Sequence, residues 1–376
     1  MVENNTKAHA DGTALFAGRI ETKPPAPSQT PWRNRTIVIT LWMARPSALW
    51  IEDRVFAFIV SRVLQAVPVV LVVGLIAYAM FAFVGDPVTI MLGTDYTEAQ
   101  RIALVKQLGL DQPFFVQYAK FMWAALHGEF GISYRLARPV TDLLAERLPA
   151  TLELALTASV FALLIGVPMG VYTGIYRSAF SSRVFMIFSL IGVSLPTFLI
   201  GILLILVFSV WLQVLPSFGR GDVVRFPHWS TGFLTTGGLK ALILPAVTLG
   251  LFQMTLIMRL VRAEMLEVLR SDYIKFARAR GLGTRAINFG HALRNTLVPV
   301  ITIAGLQIGG IIAFSIVTET VFQWPGMGLL FVQSVQVADV PVMAAYLVMI
   351  SVLFVLINLV VDLLYYAVDP RLRVAR

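Results

Sequence analysis

The chain has 376 residues, of which 57% are hydrophobic and 14% charged, with a formal net charge of +9 and no cysteine. Soluble domains carry about 25% charged residues, so the composition excludes a soluble globular protein, and the missing cysteines exclude a disulfide framework, a thiolate nucleophile and a thiolate metal site. The positive balance is what arginine-rich cytoplasmic loops give a membrane protein, and no nucleic-acid partner is expected from it.

Residues 1–53 differ in composition from the rest. They hold Lys23-Pro24-Pro25-Ala26-Pro27 and no long apolar run, which predicts a disordered cytoplasmic extension because too little apolar surface is available to offset the entropy of ordering. No compact apolar region followed by a small-residue cleavage site precedes the first span, so no signal peptide is expected. A translation start at Met43 is the alternative reading of this stretch.

From residue 54 onward a six-helix transmembrane domain is predicted. The stretches 56–84, 151–176, 184–212, 239–258, 297–317 and 342–365 each supply the roughly 20 apolar residues that cross about 30 Å of hydrocarbon as a helix. Five contain a proline, at Pro68, Pro168, Pro196, Pro245 and Pro299, tolerated inside a bundle as kinks. Between the first two spans lies the largest outer loop, 85–150, in which Phe114, Phe115, Tyr118, Phe121 and Trp123 sit among polar residues. That pattern predicts short amphipathic helices at the outer surface.

Arginine placement sets the orientation. Arg259, Arg262, Arg270, Lys275, Arg278, Arg280, Arg285 and Arg294 crowd one interhelical segment, Arg177 and Arg183 follow the second span, and Arg371, Arg373 and Arg376 end the chain. By contrast, 319–341 has no lysine or arginine and 213–238 has only Arg220 and Arg225. The two kinds of segment alternate as six spans require, which puts both termini in the cytoplasm.

The cytoplasmic loop 264–295 holds the candidate site. Ser271 and Asp272 suit a helix N-terminus, where a short side chain accepts from free N–H groups and a carboxylate complements the positive end. Gly281 and Gly283 suit its stop, and Thr284 is placed to cap a second helix leading to Pro299. The short helix between them brings Ile274, Ala277 and Gly281 to one side at about 100° per residue, a small shallow face that fits a groove on another protein. The remaining candidates of this site are Tyr273, Arg278, Ala279, Arg280 and Leu282. The competing reading is an ordinary positive-inside loop.

None of the six lysines follows a glycine, so the chain has no phosphate-cradling P-loop. Ionisable residues avoid the middle of the spans, where Gln253, Gln307 and Asn358 lie, while Glu153, Glu319 and Asp362 sit near span ends. An ion-coupled carrier keeps such groups at mid-membrane, so another subunit is expected to supply the energy. The three amides are expected to bond between helices. His9, His127, His228 and His291 are scattered, and no metal site or catalytic residue is expected. Trp324-Pro325-Gly326 is expected to form a rigid outer turn.

Ala277-Arg278-Ala279-Arg280-Gly281-Leu282, followed by His291-Ala292-Leu293-Arg294-Asn295 and Pro299, resembles the cytoplasmic coupling motif of bacterial ABC-importer permeases, and more narrowly of the dipeptide/oligopeptide (nickel, glutathione) permease family. The resemblance runs in order through Gly85-Asp86-Pro87, Leu148-Pro149-Ala150-Thr151-Leu152-Glu153-Leu154, Ser194-Leu195-Pro196-Thr197-Phe198, Leu244-Pro245-Ala246, Arg259, Arg262, Glu319-Thr320-Val321-Phe322, Trp324-Pro325-Gly326-Met327-Gly328, Asp362 and Asp369-Pro370-Arg371. It implies an all-α type I importer (MetI-like) fold in the bacterial inner membrane, whose coupling helix docks into a cytoplasmic ATPase. It also implies a second homologous permease subunit, two ATPase subunits that carry ATP and Mg2+, and an extracytoplasmic substrate-binding protein, with no cofactor in this chain.

Two departures stand out. Lys275-Phe276-Ala277 occupies the place of the glutamate that names the motif in other importers, and Ala338-Asp339-Val340-Pro341 replaces an Arg-Asp-Tyr-Pro run. The expected cargo is a di- or oligopeptide. Nickel, glutathione or another small solute carried by the same machinery is the alternative, ahead of a self-contained secondary carrier or a membrane enzyme.

Overall fold

The structure, a computed structural model, describes residues 48–83, 88, 92, 93, 96–107, 109–227 and 229–368. It divides into the units Met1–Ala57 and Phe58–Arg376, and the second contains the packing discussed here. The predicted extension, apart from the start of the first helix, lies outside the described residues, as do Gly85-Asp86-Pro87 and Asp369-Pro370-Arg371.

The fold is all-α with one small hairpin. Helix α1 (Ala48–Phe83) is followed by α2 (Glu98–Gln107), α3 (Phe114–Leu126), α4 (Val140–Ile175), α5 (Phe180–Ser194) and α6 (Thr197–Leu204), which continues as a π-helical turn to Trp211. Strands β1 (Val224–Phe226) and β2 (Trp229–Thr231) pair antiparallel with Arg225 opposite Ser230. Then come α7 (Thr236–Val268), α8 (Asp272–Ala279), a π-helical segment Ala286–Ala292, α9 (Leu293–Val321), α10 (Met327–Gln336) and α11 (Val340–Val368).

Among the described residues, four helices are long and apolar enough to cross a membrane on their own, within α1, α4, α7 and α11. Two bent pairs bring the number to six: α5 with α6 and its π turn, bent by 110°, and the two halves of the fifth span, bent by 52°. The single third span expected over 184–212 is therefore a broken one. Proline at 196 drives Leu195 into extended backbone (φ −97°, ψ 139°) by clashing with the helical conformation of the residue before it, and the helix restarts after Pro196. Pro68, Pro168, Pro245 and Pro299 instead lie inside continuous helices. The arginine-free segment 319–341, expected as a loop, contains the apolar helix α10.

Helices α4 and α7 form the central pair, and a stripe of glycines explains their close approach. A Cβ on Gly166 would lie 2.8 Å from the Met254 carbonyl oxygen, one on Gly170 2.7 Å from that of Met258, and one on Gly174 2.7 Å from the Met265 side chain. On the facing helix, a Cβ on Gly250 would lie 2.7 Å from the carbonyl oxygen of Ala158. Lipid offers apolar side chains no advantage in leaving it, so helix pairs in membranes gain from such backbone contact. Thirty-six residues make α4 about 54 Å long at 1.5 Å per residue. That exceeds the roughly 30 Å thickness of bilayer hydrocarbon.

Candidate functional site

Helix α8 sits between the end of α7 and the start of the α9 segment. It starts where Ser271 is extended (φ −65°, ψ 156°), although the hydroxyl donates back to the carbonyl of Val268 (2.5 Å) rather than capping the helix. Its stop is a Schellman motif. Gly281 has φ +80°, its N–H donates to the Arg278 carbonyl (2.9 Å), and the Leu282 N–H donates to that of Ala277 (3.3 Å). This left-handed position is cheap only for glycine. Thr284 caps nothing; it is the first helical residue after Gly283, and the backbone then widens into the π turn Ala286–Ala292.

The structure corrects which way α8 faces. Ile274 is fully buried and Ala277 nearly so, packed in one cluster with Met265, Ile287 and Ala292 of this same chain. The apolar stripe expected to meet a partner is therefore the helix's anchor, as amphipathic helices bury their apolar side against their own core. Gly281 is exposed and belongs to the stop rather than to that packed stripe. Outward point Asp272, Tyr273, Lys275, Phe276, Arg278, Ala279 and Arg280, with Leu282 beyond the end. Phe276 is 64% exposed, with the Arg280 guanidinium 5.9 Å above its ring, a cation–π geometry. The Tyr273 hydroxyl accepts from Asn295 Nδ2 (2.7 Å), tying α8 to α9, and Lys275 pairs with Asp272 at 2.8 Å. Phe276 and Asn295 entered the sequence reading only as parts of motifs and not as site residues; the signal for the first was a phenylalanine on the polar side of a basic helix.

Arg262, read above as a positive-inside residue and as part of the family resemblance, donates from Nη1 to the Thr173 carbonyl (3.0 Å) in the last turn of α4, where carbonyls lack helical partners and the dipole favours a cation. The Arg259 Nε is buried with no partner among the described residues, and so is the Nε2 of Gln253, expected to bond across helices.

At the opposite end the remaining family motifs knot together. Glu319 is fully buried, and its carboxylate accepts from Thr151 Oγ1 (2.7 Å), Ser315 Oγ (3.1 Å) and the Leu329 N–H (3.0 Å). Thr151 Oγ1 in turn accepts from the Met327 N–H (2.8 Å), and the indole N–H of Trp324 donates to the Ala150 carbonyl (2.9 Å). Gly326 lets the carboxylate approach, since a Cβ there would fall 2.4 Å from it. The Trp324-Pro325-Gly326 turn is thus a buried clasp between α4 and α9. Beside it Glu153 and Arg220 form a buried ion pair (Oε2 to Nη2, 2.6 Å), and Arg220 also donates to Ser230 Oγ (2.8 Å) and the Ser230 carbonyl (2.7 Å), which pins the β hairpin to α4.

Asp339, retained where Ala338-Asp339-Val340-Pro341 departs from the family run, has a structural task. Its carboxylate accepts from Ser133 Oγ (2.5 Å) and the Tyr134 N–H (3.1 Å), holding the turn before α4. Burial, and then the Asp339 charge, push the Tyr134 phenol well above the ordinary tyrosine range. Between the first and last spans, Arg62 Nε pairs with Asp362 Oδ2 at 2.9 Å.

The family of binding-protein-dependent transport system inner membrane components matches residues 166–374, and its N-terminal companion matches residues 55–155. The chain is similar to the dipeptide transport system permease protein DppB of Escherichia coli (strain K12), 37% identical over 333 residues, covering 84% of this chain and 98% of that one. It is similar also to the DppB protein of Alkalihalophilus pseudofirmus, 35% identical over 331 residues, covering 84% and 99%. Among solved structures, a chain of the MetNI methionine ABC transporter in inward-facing conformations aligns with a TM-score of 0.46 at 21% identity, over 58% of this chain and 93% of that one.

Proposed function

The chain belongs to the family of binding-protein-dependent transport system inner membrane components, and from that premise we propose that it forms the translocation path of an ATP-driven importer for di- or oligopeptides. It is a multi-pass permease subunit of the inner membrane rather than an enzyme. In the proposed assembly it pairs with a second homologous permease, receives cargo from an extracytoplasmic binding protein and is driven by two cytoplasmic ATPase subunits that hold ATP and Mg2+. Both termini lie in the cytoplasm, on the side of the arginine-rich segment. Relatives named as dipeptide permeases, matched over nearly their whole length, support the peptide cargo.

The observation that carries the coupling role is the two-sidedness of α8: a stopped helix with its inner face locked into the bundle and its outer face presenting Tyr273, Phe276 and Arg280. Such a helix cannot yield separately when pushed. Ile274 seats it in an apolar cluster shared with Met265 of α7 and Ile287 of the π-helical segment, Tyr273 bonds Asn295 of α9, and α7 is fused to α4 by the glycine stripe and Arg262. A displacement of α8 by an ATPase is therefore delivered to three spans together, the rigid-body mode by which packed bundles switch. The test is affinity purification of the tagged chain from its native membrane in mild detergent, with identification of what accompanies it and an ATPase assay. Recovery of a sister permease, two ATPase subunits and vanadate-sensitive hydrolysis is expected; a homogeneous single protein without hydrolysis, in a detergent that keeps other complexes whole, refutes the proposal.

A further inference from the structure

We propose that the cleft between the start of α4 and the β hairpin holds the terminal carboxylate of a peptide between Arg147 and Arg225. The inference rests on the reading of the chain as a peptide permease with this face outward. The cleft has a volume of about 820 Å³ and is walled by Arg138, Asp142, Glu146, Arg147, Arg225 and Trp229, among others, a size typical of sites for small organic ligands.

The cations of this wall divide in two. Arg138 is engaged by Glu146, with Nη2 to Oε1 at 2.7 Å and Nη1 to Oε2 at 3.3 Å, and Arg220 is consumed by Glu153 and Ser230. Arg147 and Arg225 have neither an ion-pair nor a hydrogen-bond partner among the described residues. Strand register turns Arg225 towards the cleft. It sits directly across from Ser230, cross-strand partners share a face, and the Ser230 hydroxyl is bound to the buried Arg220 guanidinium on that face.

Nor does membrane topology explain the two arginines. They stand at the opposite end of α4 from Arg262 and the basic coupling segment, on the side where cytoplasmic charge bias does not operate. A guanidinium fork matches a carboxylate with two parallel hydrogen bonds, and a free peptide terminus presents such a group whatever its sequence. The site would thus accept peptides of varied side chains while rejecting those with a blocked end.

The experiment uses the assembled complex in nanodiscs without binding protein and reads saturation-transfer NMR from protein to the methyls of alanyl-alanine or its C-terminal amide. The wild type is expected to favour the free acid about fivefold, the ratio given by about 1 kcal/mol for partly exposed pairs. R147Q/R225Q is expected to lower the acid signal to that of the amide, R147K/R225K to restore most of it, and R225Q alone, on an exposed side chain whose charge acts on Glu146 without a hydrogen bond or close ion pair to lose, to remove part. Equal wild-type signals for acid and amide, or an acid preference that survives R147Q/R225Q, overturn the inference. So does a double variant that keeps this preference but needs more loaded binding protein for half-maximal uptake, because the arginines then serve protein docking. ATP-driven uptake of alanyl-alanine by the wild-type complex with its binding protein is measured separately. Its absence removes the peptide-permease reading itself, whereas uptake with no acid preference removes the subsite alone.

Discussion

Replacing the two large apolar residues of α8 one at a time separates anchoring from docking. Ile274 has no exposed surface and packs with Met265, Ile287 and Ala292; truncation to alanine removes buried methylenes and leaves a cavity, costing about 2–4 kcal/mol. Phe276 keeps 64% of its surface exposed, so Phe276→Ala changes the stability of the free chain by no more than about 0.5 kcal/mol. Buried beneath an ATPase, the same ring is a central aromatic anchor, and its loss costs about 2 kcal/mol of association, roughly 30-fold in affinity. The assay is thermal unfolding of the detergent-solubilised chain, together with titration of the ATPase subunits onto permease in nanodiscs. Ile274→Ala is expected to lower the unfolding temperature, Phe276→Ala to leave it and to weaken ATPase binding. Wild-type ATPase affinity in Phe276→Ala refutes the outward face as the docking face.

Three further outcomes follow from buried contacts. Glu319→Ala orphans the Thr151 hydroxyl proton and the Leu329 amide, whereas the Ser315 hydroxyl keeps its bond to the Ile312 carbonyl (2.8 Å); each orphan costs about 1–3 kcal/mol, so folded protein is expected to be lost from membranes while Glu319→Gln retains part, read by fluorescence-detected gel filtration. Arg220→Met strands the buried Glu153 carboxylate at about 3–5 kcal/mol, and E153L/R220M is expected to be more stable than R220M; thermal unfolding of the variants checks this. Gly170→Val places a branched side chain against the Met258 carbonyl and Val261, where even a Cβ would lie 2.7 and 2.6 Å away. Separation of α4 from α7 is expected, detected as lost cross-linking between cysteines placed on the two helices.

Much of this fold was legible because the bilayer simplifies the problem. Runs of about 20 apolar residues mark spans, and the bounds of α8 are written locally in Ser271 and Gly281, one through extended backbone and the other through φ +80°. What failed to show were facts of direction and distance. A period of 3.6 residues groups Ile274 with Ala277 but is silent on whether the stripe meets the chain's own core or a partner. Pro168 and Pro196 read alike as kinks, yet one rides inside α4 and the other breaks its span by 110°. The surroundings differ: Gly166 and Gly170 clamp α4 against α7 on either side of Pro168, whereas Leu195 takes the extended form. The Glu153–Arg220 pair joins residues 67 apart and Thr151 meets Glu319 across 168, contacts with no local pattern. Those long contacts account for why charged residues near span ends need not line a path: Glu153, Glu319 and Asp339 are each consumed in holding the turns at the end of the bundle opposite α8. Arg147 and Arg225, the cleft-wall cations without such a structural bond among the described residues, are for that reason the informative ones.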